Sequence, residues 1–213
     1  MKKGVLIALL TCASLTISAQ SDDDHLEPVA GYLSNDEHEY YSFIYKHLIE
    51  DLYNRPIAWM LTMPGRAPEN VVSIEHTKES FKVSYKICKE SIWFSEEKEK
   101  NEVITYEQDI DTATVVLIET VFRKVLLEAR YRNDFHMPFS GPVYIFSSGI
   151  MSGQASTPGD GTKMGELAGI GQVMIALAKS STKEDQIKFN KELRIRAEKF
   201  LKKRWRVRDK VKR

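Results

Sequence analysis

The sequence predicts an α+β fold: an antiparallel sheet of about five to seven strands, packed by a long central helix and further N- and C-terminal helices. Three observations lead there. Apolar residues recur at helical spacing in four separate stretches. Between them lie short runs that alternate, or are apolar throughout, and end in turn residues. The strands cluster apart from the helices, without the one-for-one alternation of a parallel βαβ fold.

Ser34-Asn35-Asp36-Glu37 reads as a capping box, in which the serine bonds a free helix N–H and the glutamate reaches back. The helix it opens carries Tyr41, Ile44, Tyr45, Leu48, Ile49 and Leu52 on one stripe and stops before Pro56. Strands are expected over Ile57–Met63, Val71–Thr77 and Phe81–Cys88. The last alternates Phe81, Val83, Tyr85 and Ile87 with Lys82, Ser84, Lys86 and Cys88, which predicts one wet face. Ile92–Ser95 and Val103–Gln108 read as a hairpin around the charged turn Glu96–Asn101. Asp109 or Asp111 caps the longest apolar stripe, through Ile118, Val121, Phe122, Val125, Leu126 and Ala129. A second hairpin, Val143–Ser147 and Met151–Ser156, turns at Ser148-Gly149. Thr162 caps a helix carrying Leu167, Ile170, Met174 and Leu177. A last helix from Lys183 places Phe189, Leu193, Ala197, Leu201 and Trp205 every four residues.

The start is that of an exported protein. Lys2 and Lys3 precede an apolar run from Val5 that closes on Ser18-Ala19-Gln20, and three aspartates follow. The run is shorter than the roughly 20 apolar residues of a membrane span. Leu9-Leu10-Thr11-Cys12 resembles a lipobox and is the rival reading, with Thr11 where a smaller residue is usual. Cleavage near Gln20 removes Cys12 and leaves Cys88 alone, so no intramolecular disulfide or cysteine-based zinc site is expected. The expected organisation is a signal peptide over 1–20, an acidic leader over 21–33, one α+β domain over 34–206 and a basic tail over 207–213. A periplasmic location is expected, with a lipoprotein or the cell surface as alternatives.

Lys and Arg number 31 against 30 Asp and Glu, but the distribution is uneven. Ser21 to Tyr45 holds seven acids and no Lys or Arg; Lys191 to Arg213 holds twelve basic residues and three acids. Export rules out nucleic acid as the partner of that basic stretch. Envelope polyanions remain, as does a simply solvated helix. Lys199, Lys202, Lys203 and Arg206 are the candidate anion-binding residues, for acidic glycan or anionic lipid.

Motifs for catalysis are weak. Gly159-Asp160-Gly161-Thr162-Lys163 has Thr and Lys in the wrong order for a nucleotide P-loop, and reads as a tight loop with a threonine cap. Ser147, Ser148 and Ser152 adjoin glycines but lack Gly-x-Ser-x-Gly. His25, His38, His47, His76 and His136 show no metal-ligand spacing, so neither metal nor cofactor is expected. Cys88, on the polar side of its strand, reads as a passive thiol. Trp59 and Trp93, placed in strands, read more readily as core than as sugar-stacking rings.

One spaced pattern runs Trp59-Met60-x-x-Met63-Pro64, Glu69-x-x-x-Ser73, Ile92-Trp93-Phe94, Ala129-Arg130-Tyr131 and Gly141-x-x-Tyr144-x-Phe146. From Trp59 to Leu177 it resembles a family of exported proteins of Gram-negative bacteria that carries no assigned activity. The resemblance implies export and a single domain. These readings favour a non-catalytic binding or interaction protein of the envelope, with an envelope protein, acidic glycan or anionic lipid as partner. The alternative is a small hydrolase acting on cell-wall or glycan material. Trp93, Arg130, Tyr131 and Tyr144 are the candidate ligand-binding residues.

The exported chain should begin at or near Ser21, where the small-residue close meets the acidic run. Intact-mass measurement checks this; a retained leader or an acylated Cys12 overturns it.

Overall fold

The computed structural model describes residues 24–29, 35–54, 56–131 and 141–203. The signal segment, the Ser34 cap, His136, Trp205, Arg206 and the basic tail lie outside the described residues. The described residues form an antiparallel sheet of seven strands with four α-helices, the α+β class the periodicities of the chain predict. In chain order the elements are β1 (Glu27–Pro28), α1 (Asn35–Ile44), β2 (Ala58–Met63), β3 (Asn70–His76), β4 (Phe81–Cys88) and β5 (Val103–Ile110). They continue with α2 (Thr112–Leu127), β6 (Val143–Ser148), β7 (Met151–Ser156), α3 (Lys163–Ala178) and α4 (Lys183–Lys202). The strand order is β1-β7-β6-β2-β3-β4-β5, with every pairing antiparallel. No helix among the described residues is long and apolar enough to cross a membrane.

Each face of the sheet has its own core. On one, Met60, Val72, Ile74, Val83, Tyr85 and Phe146 meet α2, α3 and α4. Phe122 of α2 is fully buried there and packs edge-on against Phe146 at 5.8 Å between ring centroids. The opposite face presents Leu61, Met63, Val71, Cys88 and Ile145 to Ile44, Leu48 and Leu52 of the N-terminal helix. Alternation along β2 and β3 feeds both cores, because successive strand side chains point to opposite faces. That helix continues from α1 through a π turn, Tyr45–Ile49, into a 3-10 turn, Glu50–Asn54. The wider π turn offsets the drift that a four-residue apolar spacing accumulates on a 3.6-residue helix, so all three residues stay inward.

Of the two caps considered for α2, Asp111 is the one used; Thr162 caps α3 as expected, and Thr182 is a further cap beyond those expected from the sequence. Asp111 accepts from the Thr114 N–H, Thr162 from Gly165 and Thr182 from Asp185. The β6–β7 hairpin turns on Gly149 and Ile150, one residue later than predicted, and Gly149 takes the positive φ of 62° that the first residue of a type II′ turn requires.

Four expectations need correction. Ile92–Ser95 is a turn, not a strand, and the hairpin partner of β5 is β4 over its full length. Cys88 is buried under the N-terminal helix, as is much of the face of β4 expected to be wet; Ser84 is also buried, and Lys86 reaches Asp51 at 3.5 Å. The acidic leader is built into the fold over residues 24–29. Leu26 is fully buried in the larger core, and Glu27 and Pro28 pair with Gln154 and Gly153. A side chain on Gly153 would meet the Leu26 Cβ at 3.0 Å, so the glycine admits this strand. Finally, α4 buries Leu193, Ala197 and Phe200, while Leu201 is half-buried. A straight α-helix does not hold a four-residue stripe, and Phe200 rotates into the place expected for Leu201.

Phe122→Ala should cost about 3–5 kcal/mol through the cavity it leaves. Lys124→Ala, on the exposed face of α2, should stay within about 0.5 kcal/mol. Equal losses in chemical denaturation would contradict this placement of the helix.

Candidate functional site

Between β4 and β5 the chain makes a loop over residues 89–102. Its base is closed by the Lys89 N–H on the Glu102 carbonyl at 2.8 Å, and by the Asn101 amide on the Glu90 carbonyl at 2.8 Å. Within it, Ser91 to Phe94 form a tight turn, with the Phe94 and Ser95 N–H groups donating to the Ser91 carbonyl.

Glu69, at the foot of β3, anchors that turn. Only 1% exposed, it accepts three hydrogen bonds: from the Ile92 N–H at 2.7 Å, the Ser91 hydroxyl at 3.0 Å and the Tyr40 hydroxyl at 2.8 Å. A buried carboxylate is tolerable only with such donors. Here they come from α1 and from the turn, so one side chain joins three segments. The Ile92 side chain is fully buried in the second core. His47 donates from Nε2 to the Lys98 carbonyl at 2.8 Å, and Lys98 lies 4.0 Å from Glu39, so α1 and its extension hold the far side of the loop as well.

The anchored turn presents aromatic side chains to solvent. Trp93 is 48% exposed and Phe94 62%. Trp93 stands edge-on to Tyr40, with centroids 5.0 Å apart, and Tyr40 stands edge-on to Tyr41 at 5.7 Å. Trp93 is therefore neither in a strand nor in the core. The patch can offer flat apolar faces to a ligand. Sealed Glu69 has no access to one, and its role is to position the turn.

Burial shifts two groups beside it. The Cys88 thiol is pushed from its ordinary 9.0 up to about 12, by burial first and then by the charge of Glu69. Burial and the same carboxylate also push the Tyr40 phenol up. Cys88 is accordingly a protonated, unreactive thiol at neutral pH.

The four candidate ligand-binding residues do not converge. Trp93 lies with Tyr40 against the core under the N-terminal helix. Tyr144 packs on the opposite face of the sheet, stacked on Phe146 at 6.4 Å. Arg130 and Tyr131 are exposed beyond α2, where the Arg130 N–H bonds the Leu26 carbonyl. Sequence spacing could not reveal that Tyr144 faces the first core from β6 while Trp93 stands on a turn anchored beside the second. The signal missed was Glu69 with Ser91, a buried acid and a donor brought together only by folding.

Among the candidate anion-binding residues, Lys202 lies 3.8 Å from Glu198 and Lys203 3.7 Å from Glu166, while Lys199 is exposed on the same end of α4. The helix C-terminus itself favours cations there. The weak catalytic candidates have structural partners. Ser147 donates to the Met151 carbonyl at 2.9 Å, Ser152 to Ser147 at 3.1 Å and Ser148 to the Ile57 carbonyl at 2.9 Å. Lys163, buried in the first turn of α3, pairs with Glu128. Among the described residues no group of three or more His, Cys, Asp or Glu could hold a metal ion.

The raised Cys88 and Tyr40 values fix a pH dependence. The unfolded chain releases these protons first, so between about pH 9 and 12 the folded state binds more of them. Their contribution to stability is complete below about pH 9 and is lost as pH rises through that window. Unfolding free energy should therefore fall across it, and less steeply in Cys88→Ala. Parallel pH profiles for the two proteins in chemical denaturation would refute the assignment.

Compared with family models, curated proteins and solved structures, the chain matches none.

Proposed function

We propose that this is an exported binding protein of the bacterial envelope, without catalysis, whose contact surface is the aromatic turn carrying Trp93 and Phe94. The observation that carries the reading is the pairing of exposure with rigidity. Two adjacent large aromatic side chains face solvent on a turn fixed by two hydrogen bonds to Glu69, which a third ties to Tyr40 of α1. Exposed aromatic groups of this kind are the usual anchors of recognition surfaces, and a turn ordered in advance loses little entropy on binding. The rim also supports it. The loop over 89–102 that carries the patch holds three lysines and five glutamates, both signs of charge, the polar border of a protein interface more than the one-sign field that draws a polyanion. A partner protein of the envelope is the favoured ligand. The signal-like start and the resemblance to exported Gram-negative proteins support an encounter outside the cytoplasm.

Replacing Trp93 and Phe94 together by alanine should lower crosslinked capture of the partner from an envelope fraction at least about tenfold. The stability of the variant should stay within about 1 kcal/mol of the parent, because both side chains are exposed. Leu127→Ala, which removes an exposed apolar side chain on α2, is the control and should capture normally. Capture that survives the double substitution overturns the reading; capture of glycan alone moves the ligand class from protein to sugar.

A further inference from the structure

The two edges of the sheet are finished differently. At one edge, β1 and Leu26 cover β7. At the other, β5 pairs only with β4 among the described residues, in eight continuous registered pairs from Phe81↔Ile110 to Cys88↔Val103. Exposed edges are normally blunted by lysine, proline, a bulge or a covering element. β5 holds no Lys, Arg or Pro, and Ile104, Thr105, Tyr106, Glu107 and Asp109 are all exposed. Its two sides differ. Ile104 and Tyr106 lie on the side of the three helices, with Tyr106 stacked on Tyr85 at 6.1 Å. Thr105, Glu107 and Asp109 lie on the other, where Lys82 of β4, opposite Asp109, meets Glu107 at 3.1 Å; from Glu102 to Asp111 the chain itself holds four acids and no base. Acid against acid disfavours pairing of β5 with another β5. The edge suits a strand that is apolar on one side and basic on the other.

Besides β4, which already pairs with β5 on its inner side, the chain contains a further such sequence. From Arg204, basic residues at 204, 206, 208, 210 and 212 alternate with Trp205, Val207, Asp209 and Val211, a period of two. This segment leaves from the wrong end of the molecule to reach its own β5. The start of α4 is held at β5, where Gln108 bonds both the Ser180 carbonyl and Gln186 at 2.7 Å. Its end is held at the other edge: Lys203 meets Glu166 in the first turn of α3, beside Met164, whose N–H bonds Asp24 just ahead of β1. Helix α4 has 20 residues, so the two points are about 30 Å apart at 1.5 Å per residue. Ten extended residues span at most about 36 Å, enough to touch the near end of β5 but not to lie along it.

We propose that the acidic edge of β5 is a strand-addition site for the basic C-terminal segment, residues 204–213, of a second copy of this chain. Trp205 and Val207 would extend the apolar row of Ile104 and Tyr106, while Arg206, Arg208 and Lys210 would face Glu107 and Asp109. Main-chain hydrogen bonds would supply affinity and the alternation would supply specificity. Donor and acceptor are different surfaces, so the contact is head-to-tail and builds a ring, an open array or a dimer in which two copies exchange their segments.

Sedimentation of the exported full-length protein tests this. Wild type should show concentration-dependent association that weakens as salt rises. Thr105→Lys with Asp109→Lys, and separately Arg206→Glu with Arg208→Glu and Lys210→Glu, should each weaken association at least about tenfold. An equimolar mixture of the two variants should restore it, because each then offers what the other accepts. The charge-reversed tail is the safeguard if the edge variant folds poorly. A wild type that stays monomeric at every concentration, association unmoved by either reversal, or a mixture that fails to recover overturns the proposal.

Discussion

Strands β2 and β3 are apolar on both faces, and the helices lie where they do because both faces must be covered. Met60, Val72 and Ile74 require one layer; Leu61, Met63 and Val71 require another on the opposite side. At roughly 25 cal/mol for each Å² of apolar surface removed from water, exposing either set would exceed any single hydrogen bond in the molecule. Three helices meet the first demand. The second falls to the shorter N-terminal helix, whose π turn lets Ile44, Leu48 and Leu52 face the sheet together. That helix covers the Cys88 end of β4, and so the thiol is sealed.

Glu69 sits at the margin of this second layer, where apolar packing gives way to the loop over 89–102. A carboxylate held inside the molecule would cost several kcal/mol if unpaired. Three donors converge on it from two separate segments. The tyrosine comes from α1, while the serine hydroxyl and the Ile92 N–H come from the turn. Burial of Ile92 adds a second tether of different chemistry. The exposed side chains next to it are thereby decoupled from the stability of the fold, which is the condition under which a surface can keep aromatic groups for binding.

Most of the framework was legible because it rests on local periodicity. Helices α2 and α3 bury Ile118, Phe122, Leu167 and Ile170 as their stripes predict, and Asp111 and Thr162 cap where hydrogen-bonding side chains precede apolar runs. The losses share one cause, which is contact between segments far apart in sequence. Ile92-Trp93-Phe94 has the composition of a strand, but Glu69, more than twenty residues earlier, captures the Ile92 N–H that a strand would have offered to a neighbour. Leu26 sits in a polar, acidic stretch that gives no periodic signal, yet it fills the space above Gly153. The four-residue spacing shared by the first and last helices is ambiguous for a related reason. A π turn preserves the stripe in one, and an unbroken α-helix rotates it onto Phe200 in the other.

The same distinction between local and distant constraint explains the uneven charge. Acidic residues near the N-terminus include Asp24, which caps the first turn of α3, where the helix dipole favours an anion. Basic residues gather toward the end of α4, where the dipole favours cations, and Glu166 and Glu198 offset part of that charge. Local electrostatics therefore accounts for Asp24 and for Lys199, Lys202 and Lys203. Of the four acids along residues 102–111, Asp111 caps α2 and Glu102 and Glu107 meet Lys89 and Lys82 at 3.1 Å, so local contacts account for three and leave Asp109 on an exposed edge strand that itself carries no base. A dipole effect that fades within a turn does not explain basic residues continuing beyond Lys203 in strict alternation with other side chains. What local forces leave over is an exposed edge strand without a base, and a basic alternating sequence beyond Lys203. Self-repulsion keeps like edges apart, and opposite charge favours the head-to-tail arrangement.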